Sequence, residues 1–131
     1  MHYLDTSALV KLIRREPQSD ALADWLDDKA PAPWVASALV EVELVRALRR
    51  TDPLLLAAVP ALITRVARYE IDALVRAAAA AYPDPTLRSL DAIHLATAQA
   101  VFGAQLQTFV TYDERLGDAA RACGLTVTAP R

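Results

Sequence analysis

Three aspartates stand where a phosphate or a metal ion could meet them. Asp5 follows the β-type stretch Met1 to Leu4, Asp113 follows the stretch Thr108 to Tyr112, and Asp91 lies in the first turn of a helix opened by Ser89. Ligands of an open α/β sheet bind outside the carboxyl ends of its strands, so these three carboxylates are expected to face one crevice. A fourth acid comes from the helix that follows the second strand, as Glu41 or Glu43. Two residues apart on a helix, these point in different directions and fall near opposite borders of the apolar stripe. Periodicity does not choose between them.

Carboxylates gathered in one crevice repel each other and have raised pKa values unless a divalent cation neutralises them. Hard oxygen donors without cysteine or several histidines favour Mg2+ or Mn2+ over zinc, and such ions serve phosphoryl displacement. Each acid has a plainer reading as well: an aspartate in a first helical turn is favoured by the helix dipole, and one after a strand is an ordinary turn residue. His94, three residues after Asp91, reads as a packed, hydrogen-bonded histidine and is left out of the catalytic set. Arg46, Arg49 and Arg50 share the helix of Glu43, and Arg14 and Arg15 end the first helix. Solvated surface and phosphate contact explain these arginines equally well, and Arg46, Arg50 and Arg14 are the candidates for phosphate contact. Trp25, Trp34 and Tyr69 are scattered rather than interleaved with basic residues, which suits core or interface better than base stacking.

Composition limits what this chemistry can be. The chain has 131 residues, 54% of them hydrophobic and 23% charged, which fits one domain over residues 1–131. A formal net charge of −2 excludes the general attraction of a basic nucleic-acid binder, so a polyanion must be gripped locally. One cysteine, Cys123, rules out an internal disulfide and a cysteine zinc cage. Three unclustered glycines provide no phosphate-cradling loop. The longest mostly apolar stretch, Leu54 to Ile63, is broken by Pro60 and is too short to span a bilayer. With no secretory leader pattern at the start, a cytoplasmic protein without membrane partners is expected.

The elements that must position the acids alternate between short strands and longer helices. Thr6 or Ser7 is expected to cap a helix to about Arg15, and Pro17 to open one through Leu22, Trp25 and Leu26. After the strand Trp34, Val35, Ala36, Ser37 reads as the cap of a helix through Val40, Leu44 and Leu48 that stops near Thr51. Asp52-Pro53 predicts a helix towards Ala67, and Asp72 caps another that Pro83 and Pro85 end, the two forming a hairpin. Ser89 caps the helix of Ile93, Leu95, Ala96 and Phe102, with Gly103 as its stop. The strand Thr108 to Tyr112, a helix from about Glu114 to Cys123 ended by Gly124, and a strand from Leu125 to Thr128 complete the chain. Strands separated by helices predict a mainly parallel sheet covered on both faces.

The residues also resemble a known family. Tyr3-Leu4-Asp5-Thr6-Ser7-Ala8-Leu9-Val10-Lys11 resembles the first motif of PIN-domain ribonucleases, in particular the VapC toxins of bacterial toxin–antitoxin pairs. Ser37 to Leu44 resembles the second, in which a glutamate directly precedes a leucine, and this resemblance picks Glu43. Ser89-Leu90-Asp91-Ala92-Ile93-His94-Leu95-Ala96 and Thr108-Phe109-Val110-Thr111-Tyr112-Asp113 resemble the third and fourth. The resemblance implies a three-layer α/β/α PIN-like fold and a metal-dependent endoribonuclease. Asp5, Glu43, Asp91 and Asp113 would surround Mg2+ or Mn2+, with Asp5 and Asp91 the most direct ligands. Thr6, Ser7 and Thr111 would support the carboxylates by hydrogen bonding.

It further implies cuts that leave a 5'-phosphate and a 3'-hydroxyl, a homodimer or higher toxin–antitoxin assembly, and silencing by a VapB-like antitoxin. Trp25, Leu26, Leu54 and Leu55 are the expected apolar contact for that antitoxin. Asp5→Ala or Asp91→Ala is expected to abolish cleavage and leave the fold intact. The alternatives are a PIN ribonuclease of RNA processing and a catalytically silent PIN-like binding module. A haloacid-dehalogenase-type phosphatase, which wants a second aspartate two residues after the first, meets Ser7 there instead.

Overall fold

Neighbouring residues on a strand face opposite sides of its sheet, and in this chain Tyr3 and Leu4 found two separate cores. The computed structural model describes residues 1–131. Its five strands are β1 (His2–Leu4), β2 (Trp34–Ser37), β3 (Val66–Tyr69), β4 (Thr108–Val110) and β5 (Val127–Thr128). They form one sheet in the order β3-β2-β1-β4-β5, with every adjacent pair parallel. The helices are α1 (Thr6–Ile13), α2 (Ser19–Asp28), α3 (Val40–Thr51), α4 (Val59–Ile63), α5 (Ala73–Ala81), α6 (Ser89–Ala96) and α7 (Glu114–Ala122).

On one face Leu4, Ala36, Val66 and Val110 pack against Leu9 of α1, Leu22 and Leu26 of α2, Leu44 and Leu48 of α3, and Leu62 of α4. On the other, Tyr3, Val35 and Phe109 meet Leu95 of α6 and Leu116 and Ala120 of α7. The Tyr3 and Phe109 rings stack across adjacent strands with centroids 4.9 Å apart. Helix α5 packs on α6. This is the expected α/β/α sandwich, and the expected stripe Val40, Leu44, Leu48 is the buried face of α3. Each such leucine contributes roughly 1.5–3 kcal/mol by leaving water.

Several boundaries differ from expectation. Between Pro53 and Ala67 the chain forms a 3-10 turn over Pro53–Ala58, the short α4, and then β3, in place of one helix. Strand β3 pairs with all four residues of β2, and three of its own four are exposed, so it reads as an edge strand without alternation. The strand separates α4 from α5, and the expected hairpin does not form. Asp5, rather than Thr6 or Ser7, caps α1, with its carboxylate accepting the Ala8 N–H at 3.0 Å. Ser37 ends β2, where its hydroxyl accepts the Leu39 N–H at 3.1 Å, and α3 begins only at Val40. Ser89 is the first residue of α6, behind Arg88 in the cap position, and β4 stops at Val110. Asp72 caps α5 and Asp113 caps α7 through the N–H groups of Val75 and Leu116. Gly124, at φ 86°, turns the chain out of α7, a left-handed conformation open to glycine without strain.

Candidate active site

The central strands β1 and β4 end side by side, and the links between their ends define one acid. The Asp5 N–H continues the ladder to the Val110 carbonyl at 3.2 Å, which leaves the Asp5 side chain at the carboxyl edge of the sheet. Ser7 donates to Asp5 Oδ1 at 2.6 Å and Thr111 donates to Asp5 Oδ2 at 2.5 Å. The same two hydroxyls accept backbone N–H groups beyond β4, Ser7 from Tyr112 at 2.8 Å and Thr111 from Asp113 at 3.1 Å. Asp5 is thereby locked in one orientation although it is only 4% exposed. Burial pushes its carboxyl above the usual carboxylate range and outweighs the charge of His94 and the donors Ser7, Thr111 and Ala8, which pull it down.

Glu43 reaches the same edge from α3. Its Oε1 accepts from Thr6 of α1 at 2.7 Å and meets His94 Nε2 of α6 at 2.6 Å, so one oxygen ties together helices from both sides of the sheet. Burial works to raise the Glu43 carboxyl, but the hydrogen bond and charge of His94, with Thr6, bring it below its usual value. Glu41 points away from the site into an ion pair with Arg68 of β3 at 2.9 Å. The choice left open by periodicity thus falls on Glu43.

Asp91 enters from the first turn of α6. Burial pushes its carboxyl up, the charges of Asp113 and Glu43 push it further, and His94 and Arg88 oppose them. Asp113 is exposed at the start of α7, and one of its oxygens caps that helix. The four candidate acids therefore gather at the carboxyl edge of β1 and β4, with Thr6, Ser7 and Thr111 bonded to two of them. No three of these groups converge into a ready-made metal cage. The donor set still fits a hard cation. Asp91 has no donor on its carboxylate, and oxygens of Asp5, Glu43 and Asp113 keep unused lone pairs, which suits Mg2+ or Mn2+ holding several waters and few carboxylates.

Open cavities flank the acids. One of about 390 Å³ is lined by Thr111, Asp113, Arg121 and Arg131, and another of about 310 Å³ by Asp91, Arg88, Arg115 and Asp84. Arg46 and Arg50 lie on α3 one and two turns beyond Glu43, exposed and without an ion-pair partner. Arg14 is paired with Glu16 at 3.2 Å. Of the expected antitoxin contact, Leu26 is in the core, Trp25 and Leu55 pack against it, and only Leu54 stands free, 89% exposed.

His94 is the packed, hydrogen-bonded histidine that its sequence context suggests, whereas nothing in the sequence singles out Tyr3. His94 is 3% exposed, and its Nδ1 lies 2.7 Å from the Tyr3 hydroxyl, which also accepts the Ser37 N–H at 3.1 Å. The one available signal was the three-residue spacing from Asp91, which places His94 on the same side of α6.

Residues 2–122 match the sequence profile of the PIN domain. Over 131 residues the chain is 61% identical to Ribonuclease VapC35 of Mycobacterium tuberculosis, covering 99% of this chain and 97% of that protein. It is 42% identical over 128 residues to Ribonuclease VapC46 of the same organism, covering 98% and 96%. Among solved structures it resembles the M. tuberculosis toxin VapC20, described as cleaving the sarcin-ricin loop, with TM-score 0.74, 18% identity and coverage of 99% of this chain and 100% of that one. It also resembles a toxin–antitoxin complex from Klebsiella pneumoniae, with TM-score 0.72, 20% identity and coverage of 100% and 98%. The structural likenesses speak to the fold alone.

Proposed function

The chain belongs to the PIN-domain family, and from that premise we propose that it is a metal-dependent endoribonuclease toxin of a type II toxin–antitoxin pair. What supports this reading is that the chain aligns along nearly its whole length with a named VapC ribonuclease, and that Asp91 lies near enough to Asp113 and Glu43 at the carboxyl edge of the sheet to feel their charge.

Asp5 and Asp91 would hold a Mg2+ or Mn2+ ion most directly, with Glu43 and Asp113 beside it. A divalent cation, when bound, supplies the positive charge that activates water and offsets charge on the phosphate as the backbone is cut. The protein's own part is placement. Ser7 and Thr111 fix both oxygens of Asp5, Thr6 and His94 fix one oxygen of Glu43, and Asp91 is left free of donors and raised in pKa by burial first and by its acidic neighbours besides. That repulsion is a standing demand for a cation. Arg88 and Arg115 beside Asp91, and Arg46 and Arg50 along α3, supply the local positive charge by which an acidic protein can hold an RNA backbone. With water as the attacking group and the 3'-oxygen as the leaving group, which takes up the proton, the products end in a 5'-phosphate and a 3'-hydroxyl. A VapB-like antitoxin is the proposed partner, a homodimer the proposed assembly and the cytoplasm the proposed place. No helix is long and apolar enough to cross a membrane.

The test is cleavage of total cellular RNA by purified protein with Mg2+ or Mn2+, against an EDTA control and Asp91→Asn, with the product ends mapped. Discrete metal-dependent cuts with 5'-phosphate ends, absent in the variant, are expected. A folded, antitoxin-free protein that cuts nothing with either metal would instead be a PIN-like binding module.

A further inference from the structure

Tyr3, His94 and Glu43 form a hydrogen-bonded line from the interior of the sheet to its acidic edge. At its inner end, the Tyr3 hydroxyl oxygen accepts the N–H of Ser37, the last residue of β2, at 3.1 Å. Its single hydrogen is then free to point at His94 Nδ1, 2.7 Å away. In the neutral imidazole, accepting at Nδ1 places the hydrogen on Nε2, and in the charged imidazolium Nε2 carries a hydrogen as well, so Nε2 is a donor in either form. Nε2 faces Glu43 Oε1 at 2.6 Å, and Thr6 donates to the same oxygen at 2.7 Å. Every donor in the line meets an acceptor, and Oε1 ends with two.

The line is also held mechanically. The Tyr3 ring is fully buried and stacked parallel on Phe109, with the His94 ring set edge-on to it at 5.9 Å between centroids. Two neighbouring strands and α6 therefore fix the position of Nε2. A carboxylate whose one oxygen is clamped by two donors on different helices can offer only the other.

We propose that the Tyr3–His94 pair is a positioning device that clamps Oε1 of Glu43 against Thr6 and presents Oε2 to the divalent cation or to water in its shell. The pair touches neither cation nor RNA; it acts through Glu43. Such outer partners set the orientation of a ligand, and losing them typically weakens metal affinity by about 10–100-fold. This inference rests on the metal-site reading above and concerns which residues aim the glutamate.

The test reads Mn2+ binding by calorimetry or electron paramagnetic resonance, without RNA, on the full chain and three variants, each checked for folding by its melt. His94→Leu removes the donor and keeps apolar bulk, and Mn2+ affinity is expected to fall by about tenfold or more. His94→Gln restores an amide donor near the place of Nε2 and is expected to recover most of that loss, which a role in packing alone would not predict. Tyr3→Phe keeps the ring stack and removes only the hydroxyl that orients His94; a smaller loss is expected, and this variant carries the test should His94→Leu not fold. If the parent binds Mn2+ and folded His94→Leu or Tyr3→Phe binds it as tightly, the positioning role is overturned and the metal site stands. Equal weakening by Leu and Gln overturns it as well. A parent that binds no Mn2+ overturns the metal site and this role together.

Discussion

Asp5 and Asp91 carry the same group and answer differently to mutation. Asp5 receives Ser7, Thr111 and the Ala8 N–H, so Asp5→Ala removes the cap of α1 and leaves buried donors without an acceptor. Chemical denaturation should show a stability loss of about 2 kcal/mol besides lost cleavage, in a variant that still folds. Asp91 has no such donors, and its folded pKa lies above the unfolded value, so its ionisation opposes folding at neutral pH. Metal-free Asp91→Asn should therefore melt at or above the parent at pH 7. The gap should close as acidification protonates the parent's Asp91, and Mg2+ should raise only the parent's melting temperature. A metal-free variant that melts clearly below the parent would contradict this. His2 is a further case. It is buried against the Trp25 ring with neither ring nitrogen bonded, and burial, the N-terminal ammonium and Lys29 hold its pKa below 6.5. A depressed histidine costs stability as pH falls below the unfolded value, where the unfolded chain takes up the proton first. His2→Phe should raise stability by about 1 kcal/mol at pH 8, and its advantage should widen between pH 7 and 5 in paired denaturation curves; a constant gap would contradict the titration. Asp5, Asp91 and Asp113 could be read from sequence because each sits at a strand end or helix start, whereas Glu43 shares its helix start with Glu41 and needed the motif resemblance. Their partners could not, because Thr111 lies 106 residues from Asp5, and His94 lies 51 residues from Glu43.

The glycines of α7 and its exit show how differently one residue type behaves within an element. Gly117 is helical, and an added Cβ would meet Thr111, Arg121 and Val127 at 3.5–3.6 Å, which is ordinary contact. Gly117→Ala should stabilise the protein by roughly 0.5–1 kcal/mol in thermal melts, with cleavage kept. Gly124 has open space around it but a φ of 86°, so Gly124→Ala should cost roughly 1 kcal/mol although nothing clashes. The opposite order of melting temperatures would reject both assignments. Elements with strong signals were legible: α3 through its buried Val40, Leu44 and Leu48, α5 through Asp72, and the end of α7 through Gly124. Strand β3 was not, because only Val66 of its four residues is buried and its strand character comes from pairing with β2, about thirty residues earlier.

For the molecule as a whole, a net charge of −2 leaves RNA to be held by local positive charge. Replacing Arg46 and Arg50 together by alanine should weaken RNA binding and lower the magnitude of its log-affinity against log-salt slope by roughly 1.4, the share of two single-strand phosphate contacts. An unchanged slope in binding titrations between low and physiological salt would remove both from the interface. The layered architecture was legible from the alternation of strands and helices. The paths by which a polyanion crosses the surface were not, since Arg88 and Arg115 reach the cavity beside Asp91 only through the fold. One consequence of the sheet order concerns the making of the chain. Strand β1 lies between β2 and β4, and the acids at its edge come from positions 5, 43, 91 and 113, so no early portion of the chain holds the complete set. On the proposed site, the four acids come together only once Asp113 has emerged from the ribosome and β4 has docked beside β1. A message broken upstream of that codon yields a fragment that lacks at least one of the four acids.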